Sequence, residues 1–234
     1  MLTKKVFVLF VACFITVFLG LTSGASVSSQ ADGLKEKKWF MTYKGDREPD
    51  IRGAIVYSDG KTDHFARAYS EGKMEIVEPD ILRINTLGTD KGTYFYKYTY
   101  EWNLDSDKGY EVEIKAKLND ADVVGYESAA HLDVEDSSKK TSGYWELSLI
   151  KLEDGKHYAV LAGKSRGKPL AIGKEFHVFR IEIKGRQATL FMDEEKQYSV
   201  ELRDDVNTNQ IRFGDLTNKA DADWEIDYIK IAKP

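Results

Sequence analysis

From Tyr110 to Leu118 the chain alternates without a break: Tyr110, Val112, Ile114, Ala116 and Leu118 form one set, and Glu111, Glu113, Lys115 and Lys117 form the other. A period of two places the sets on opposite sides of an extended strand, one side core and the other solvated. A helix would scatter both sets around its circumference. The same period recurs along the chain. In Phe176–Ile183 one set is His177, Phe179, Ile181 and Ile183, and the other is Phe176, Val178, Arg180 and Glu182. Lys184-Gly185-Arg186 then supplies a turn, and Ala188–Met192 returns as the second strand of a hairpin. After a polar stretch around Asp204–Asn209, two more runs rich in β-branched and aromatic residues follow, Gln210–Phe213 and Trp224–Ile231. Trp145, Leu147 and Leu149 oppose Tyr144, Glu146 and Ser148, and Glu153-Asp154-Gly155-Lys156 turns into His157–Ala162 as a second hairpin. Near the start, Trp39–Met41 and Ala54–Tyr57 read as short strands with a turn at Ser58–Lys61. Lys73–Val77 and Ile81–Leu87 straddle Pro79, which places them at a sheet edge. With no long helical period anywhere, the spacing predicts an all-β sandwich of two antiparallel sheets.

The N-terminus has a different character. Lys4 and Lys5 precede an apolar run from Val6 to Leu21, and Thr22-Ser23-Gly24-Ala25 offers small residues for cleavage. The segment 1–25 reads as a secretory signal peptide, with an uncleaved anchor as the competing reading. Residues 26–38 are polar and aperiodic, a flexible leader. That leaves 39–234 as a single domain, secreted, periplasmic or at the cell surface, with no membrane association once the signal is cut. The only cysteine, Cys13, lies inside the apolar run, so the exported chain has no disulfide and relies on its core or on bound ions. The net charge of −5 becomes more negative when Lys4 and Lys5 leave, and the charges are interspersed, which argues against nucleic acid as a partner. Nothing in the sequence fixes an oligomeric state.

The sequence Glu175–Ile183, Ala188–Asp193, Ile211–Asp215 and Trp224–Ile231 resembles the closing strands of the concanavalin A-like lectin/glucanase superfamily. The resemblance runs from about Tyr110 to Ile231 and implies a jelly-roll sandwich with a glycan as partner. It also implies a structural calcium at Asp227, the aspartate of the final strand, although no cofactor is required by the chemistry. The glucanase branch carries its catalytic pair as a Glu-x-Asp-x-x-Glu or Glu-x-Asp-x-Glu strand. Here the corresponding acids are Asp133, Glu135 and Asp136, a departure from that pattern.

Several side chains are candidates for chemistry. Tyr94, Tyr96, Tyr98, Tyr100 and Trp102 fall at alternate positions, so an extended strand would project five rings from one face. Their spacing of roughly 6.6–6.8 Å suits a stacking platform for a polysaccharide, and cross-strand packing accounts for it equally well. His131, Asp133 and Glu135 share one face of Ala129–Asp136 and could serve acid–base or metal chemistry. If register brings them together, Glu146, Ser148, Tyr158 and Arg180 form a polar face able to bind sugar hydroxyls or a uronate. Lys164, Arg166 and Lys168 sit in a mobile basic loop, Gly163–Gly173, that could touch an acidic glycan or serve only as a solvated connection. No phosphate-binding loop, nucleophile elbow or zinc-type histidine spacing occurs. The expected function is glycan binding. Two alternatives stay open: a hydrolase or lyase using Asp133, Glu135, Glu146, His157, Tyr158 or Arg180, and a structural or adhesive domain without a ligand.

Overall fold

The computed structural model describes residues 38–234 except 78, 124, 126–128, 138–141, 205 and 218. The segment expected to be a signal peptide and almost all of the expected leader therefore lie outside the described residues. In chain order the strands are β1 (Trp39–Tyr43), β2 (Ile55–Tyr57), β3 (Thr62–Asp63), β4 (Ala66–Ser70), β5 (Lys73–Val77), β6 (Ile81–Asn85) and β7 (Thr93–Tyr98). They continue as β8 (Tyr110–Ala121), β9 (Ala130–Ser137), β10 (Ser142–Lys151), β11 (His157–Ala162), β12 (Leu170–Ile172) and β13 (His177–Lys184). The last are β14 (Gln187–Met192), β15 (Glu195–Glu201), β16 (Gln210–Gly214) and β17 (Ala222–Ala232). No helix among the described residues is long and apolar enough to cross a membrane.

These strands form two antiparallel sheets, as the alternation predicts. The first has ten strands in the order β15-β14-β13-β8-β17-β1-β2-β3, with the hairpin β5–β6 also joined to β17 through β6. The second has seven, in the order β12-β11-β10-β9-β16-β7-β4. The alternating strand that dominates the sequence, β8, pairs with β13 and β17, and Val112, Ile114, Ala116 and Leu118 are buried together against Phe179, Ile181, Ile229 and Ile231. From the second sheet the same core receives Phe95, Leu132, Val134, Trp145, Leu147, Leu161, Ile211 and Phe213. The central strands thus give one face to the core, at ~25 cal/mol per Å² of apolar surface removed from water.

Other parts of the chain differ from expectation. The tyrosine run does not stay extended, because β7 ends at Tyr98 and Tyr100–Trp102 forms a 3-10 turn. Trp102 turns into the core, 3% exposed, where its indole N–H donates to the Tyr57 hydroxyl at 3.1 Å. β3, β4, β12 and β15 are strands that the sequence pattern did not mark, β12 lying within the stretch expected to be the basic loop. In β15 the chain reverses from β14 through Asp193 and Glu194, both with positive φ (50° and 68°), the backbone of a tight hairpin turn made without glycine.

Candidate functional site

Three ranks of side chains cross the outer face of the seven-stranded sheet, the face turned away from the core. Backbone register alone fixes them. Ser148, His131, Gly214 and Tyr94 form the first rank; Glu146, Asp133, Arg212 and Tyr96 the second; Tyr144, Glu135, Gln210 and Tyr98 the third. β11 extends the first two ranks with Val160 and Ala162, and β4 extends them on the other side with Ala68 and Ala66.

Although this face is not the core face, much of it is closed to water. His131, Asp133, Glu135, Tyr144, Ser148 and Gln210 are all buried. Buried charges require partners, and Arg212 supplies them. Its Nε donates to Asp133 Oδ1 at 2.9 Å and its Nη2 to Glu135 Oε1 at 2.7 Å, a fork spanning two acids on the neighbouring strand. Glu135 also accepts from the Thr208 hydroxyl. Glu146 accepts from the Tyr144 hydroxyl at 2.6 Å and from the Ser148 hydroxyl. Asp133 Oδ2 makes no hydrogen bond among the described residues and lies 3.8 Å from His131 Nε2.

The environments divide the acids. Burial pushes the Asp133 carboxyl up to about 7; Arg212 pulls it down, and the charges of Glu146 and Glu135 push it further up. Burial also works to raise Glu146, but the charges of His131 and Arg166 and the two donated hydroxyls outweigh it and hold that carboxyl below its usual range. Near neutral pH one carboxyl of the second rank is poised at its titration point while its cross-strand partner is ionised. Such a divided pair can donate and accept at one place, as acid–base chemistry or recognition of sugar hydroxyls requires.

Along one border of the ranks runs a file of tyrosines. Ring centroids are 5.5 Å apart for Tyr69–Tyr94, 6.0 Å for Tyr94–Tyr96, 5.7 Å for Tyr96–Tyr98 and 5.6 Å for Tyr98–Tyr100. Tyr69, Tyr98 and Tyr100 are 60%, 51% and 59% exposed. Tyr69, at φ 48°, stands at one end, while Trp102 is absent from the file. Across the ranks from the tyrosines lies a cleft of ≈ 270 Å³, its wall including Tyr144, Glu146, Ser148, Lys164, Arg166 and Arg203.

The structure therefore brings Tyr94, Tyr96, Tyr98, Asp133, Glu135, Glu146 and Ser148 to one face, and it moves other candidates away. Arg180 belongs to β13 in the other sheet, with its guanidinium over the Phe191 ring at 3.8 Å and Glu111 and Glu194 each at 3.5 Å. Arg180, expected beside Glu146, is absent from this face, where Arg212 stands opposite Asp133. His157 is buried on the core-facing side of β11, opposite Ile172, and burial lowers its pKa. Tyr158 shares the outer face but lies at its end, donating to Asp154 Oδ2 at 2.6 Å. A lyase pair of His157 or Tyr158 with Arg180 is thus divided between two sheets. Asp136 points to the other side of β9 from Asp133 and accepts from the Ser106 N–H at 2.9 Å. Arg212, Tyr144, Arg203 and Tyr69 were not among the sequence candidates. For Arg212 a signal existed, a single cation alternating with Ile211 and Phe213 in an apolar strand.

Asp227 is the extra residue of a bulge in β17, and its Oδ2 lies 2.6 Å from Lys115 Nζ. Gly45, at φ 71°, packs so closely on this bulge that a Cβ would come within 2.6 Å of the Asp227 carbonyl oxygen. Among the described residues no group of three or more His, Cys, Asp or Glu side chains is placed to hold a metal. As described, Asp227 offers one carboxylate, already paired with a lysine, whereas calcium takes six to eight oxygens.

No protein-family model matches the chain. No curated protein matches it either. Solved structures do. One is described as the conserved carbohydrate esterase from Shiga toxin-encoding bacteriophage phi24B, at a TM-score of 0.57 and 11% identity over 84% of this chain and 99% of that one. Another concerns botulinum neurotoxin type C and its interaction with two ganglioside molecules, at 0.52 and 10% identity over 83% of this chain and 47% of that one. A third is the binding domain of botulinum neurotoxin DC in complex with SialylT, at 0.51 and 11% identity over 85% and 48%. The chain spans about half the length of those two toxin chains. At such identities the likeness concerns the fold, and it agrees with the sheets described above: this chain is an all-β sandwich of two antiparallel sheets.

Proposed function

We propose that this chain is an exported glycan-binding domain of the concanavalin A-like, jelly-roll type, and that it holds a polysaccharide across the outer face of its seven-stranded sheet. The observation that carries the reading is the tyrosine file from Tyr69 to Tyr100 bordering the ranks centred on Arg212, Asp133 and Glu146. The exposed rings of Tyr69, Tyr98 and Tyr100, with the half-buried Tyr94 and Tyr96 between them, offer apolar surface to the C–H faces of sugars, and the polar ranks fix orientation through hydroxyls. The sandwiches it resembles include one described as a carbohydrate esterase and one solved with SialylT, so folds of this kind carry glycan sites.

The test is retention of the purified chain on a panel of immobilised polysaccharides, compared with Tyr96→Ala and Tyr98→Ala variants of unchanged melting temperature. Loss of retention in both variants supports the reading; full retention in both overturns it.

A second reading, hydrolysis, is favoured by the division of Asp133 from Glu146 across one strand pair. Release of new reducing ends that disappears in Glu146→Gln would replace the first reading by this one.

A further inference from the structure

We propose that the cleft beside Glu146 takes a carboxylated sugar residue, so that the glycan bound by this face is acidic. The inference rests on the glycan-binding reading and names its ligand class.

The cleft lies where β10 and β11 carry the ranks away from the tyrosines, and its wall holds Lys164, Arg166 and Arg203 against the one carboxylate of Glu146. In a chain of net charge −5 this is a local reversal of sign. A recessed patch of one sign raises the local concentration of ligands of the other.

These cations are held in place by backbone. The basic segment, expected to be mobile, is tied at both ends: Gly163 N–H donates to Ser165 O at 3.0 Å, Lys164 N–H to Glu201 O at 2.8 Å, and Gly167 N–H to Leu161 O at 2.9 Å. A Cβ at Gly163 would fall 2.2 Å from the Glu201 carbonyl oxygen, and one at Gly167 would fall 1.9 Å from the Tyr198 ring. Both glycines are therefore required for the close approach that sets Arg166 on the cleft wall. Arg203 is fixed by a pair of backbone hydrogen bonds with Tyr144 (2.9 and 3.1 Å), and its guanidinium lies over the Tyr144 ring at 4.2 Å.

Lys164 also faces Glu201 at 2.9 Å and Asp204 at 4.0 Å, and the charge of Arg166 helps to hold Glu146 below its usual range. Glu146 has hydroxyl donors from Tyr144 and Ser148, which stabilise its charge in place. Arg166 and Arg203 are both exposed at the cleft, and guanidinium forks match a planar carboxylate in geometry as well as charge. The cleft's ≈ 270 Å³ falls just below the roughly 300–1,000 Å³ of pockets that enclose drug-sized ligands. One sugar residue is what it encloses, with neighbouring residues lying over the ranks toward the tyrosines.

The experiment is calorimetric titration of the purified full chain, at 0.15 M salt, with polygalacturonate, its methyl-esterified form and a sulfated glucan of similar charge density. The expected result is at least tenfold tighter binding to the free acid than to the ester or the sulfated polymer, with the acid-to-ester ratio falling toward one in Arg166→Gln. Arg203→Gln should act in the same direction, with melting temperature recorded because it also loses a ring contact. Equal binding to acid and ester overturns the acidic-sugar assignment while leaving glycan binding standing. Equal binding to acid and sulfated polymer reduces the cleft to a general polyanion patch and also overturns it. Binding to none of these and to no other polysaccharide overturns both readings together.

Discussion

Asp133 and Glu146 lie directly opposite each other on β9 and β10, and their carboxyls are driven apart in acidity, the first up to about 7 by burial and the second below its usual range by His131, Arg166 and two hydroxyl donors. Two like charges on a buried strand pair cannot both be cheap, and the protein settles this by letting one of them hold its proton.

A pH dependence of stability follows. Unfolded, Asp133 ionises near pH ~4; folded, it holds its proton up to about 7. Between those values the folded state binds a proton that the unfolded state has released, so stability falls as pH rises through the window and levels off above it. Asp215, which burial likewise pushes up to about 7, acts in the same direction. Melting curves from pH 4.5 to 8 should show the decline, less steeply in Asp133→Asn and in Asp215→Asn. Parallel profiles in wild type and both variants would refute it.

Arg212 is the hub of the polar ranks, and removing it leaves Asp133 and Glu135 buried without their cation. Arg212→Met should cost about 3 kcal/mol, measured by urea unfolding. A loss below ~1 kcal/mol would mean that the acids rearrange or protonate at little cost.

The tyrosine file should report in binding and not in stability. Tyr98 is 51% exposed and stacks on Tyr100 with ring planes 13° apart. Tyr98→Ala should weaken polysaccharide binding about tenfold, ~1.4 kcal/mol, without moving the melting temperature. Arg180→Ala, a change on the other sheet, should leave retention as it is. Loss of binding in Arg180→Ala would overturn the assignment of the face.

Close packing at Gly163 makes the basic segment sensitive to a single methyl group. Gly163→Ala brings Cβ to 2.2 Å from a backbone carbonyl oxygen, which no side-chain rotation relieves. The expected cost is about 1–3 kcal/mol in chemical denaturation, with weaker binding of acidic polymer. An unchanged midpoint would show that the segment is not held as described.

Calcium provides the last test. Because Asp227 is paired with Lys115, melting temperature should be the same in chelator and in millimolar calcium. An ion that bound only the folded state would raise stability by RT ln(1 + [L]/Kd), so an upward shift in calcium, lost in Asp227→Asn, would establish the structural ion.

The sequence by itself determined the two-sheet class, because a period of two has one physical solution: each strand shows one face to a core and the other away from it. The alternation of β8 and of Phe176–Ile183 made that plain, and so did the glycine-bearing turns at Gly155 and Gly185. It also put His131, Asp133 and Glu135 on one face, since residues two apart on a strand cannot do otherwise. Which strands lie side by side is a long-range matter that periodicity does not encode. Only the order β10-β9-β16-β7 decided that Arg212 meets Asp133, while Arg180, expected beside Glu146, lies in the other sheet, and that tyrosines border the acids. The end of the tyrosine strand was equally hidden. Trp102 leaves the alternation because burying its indole beside Tyr57 gains more apolar contact than one further ring on an exposed face.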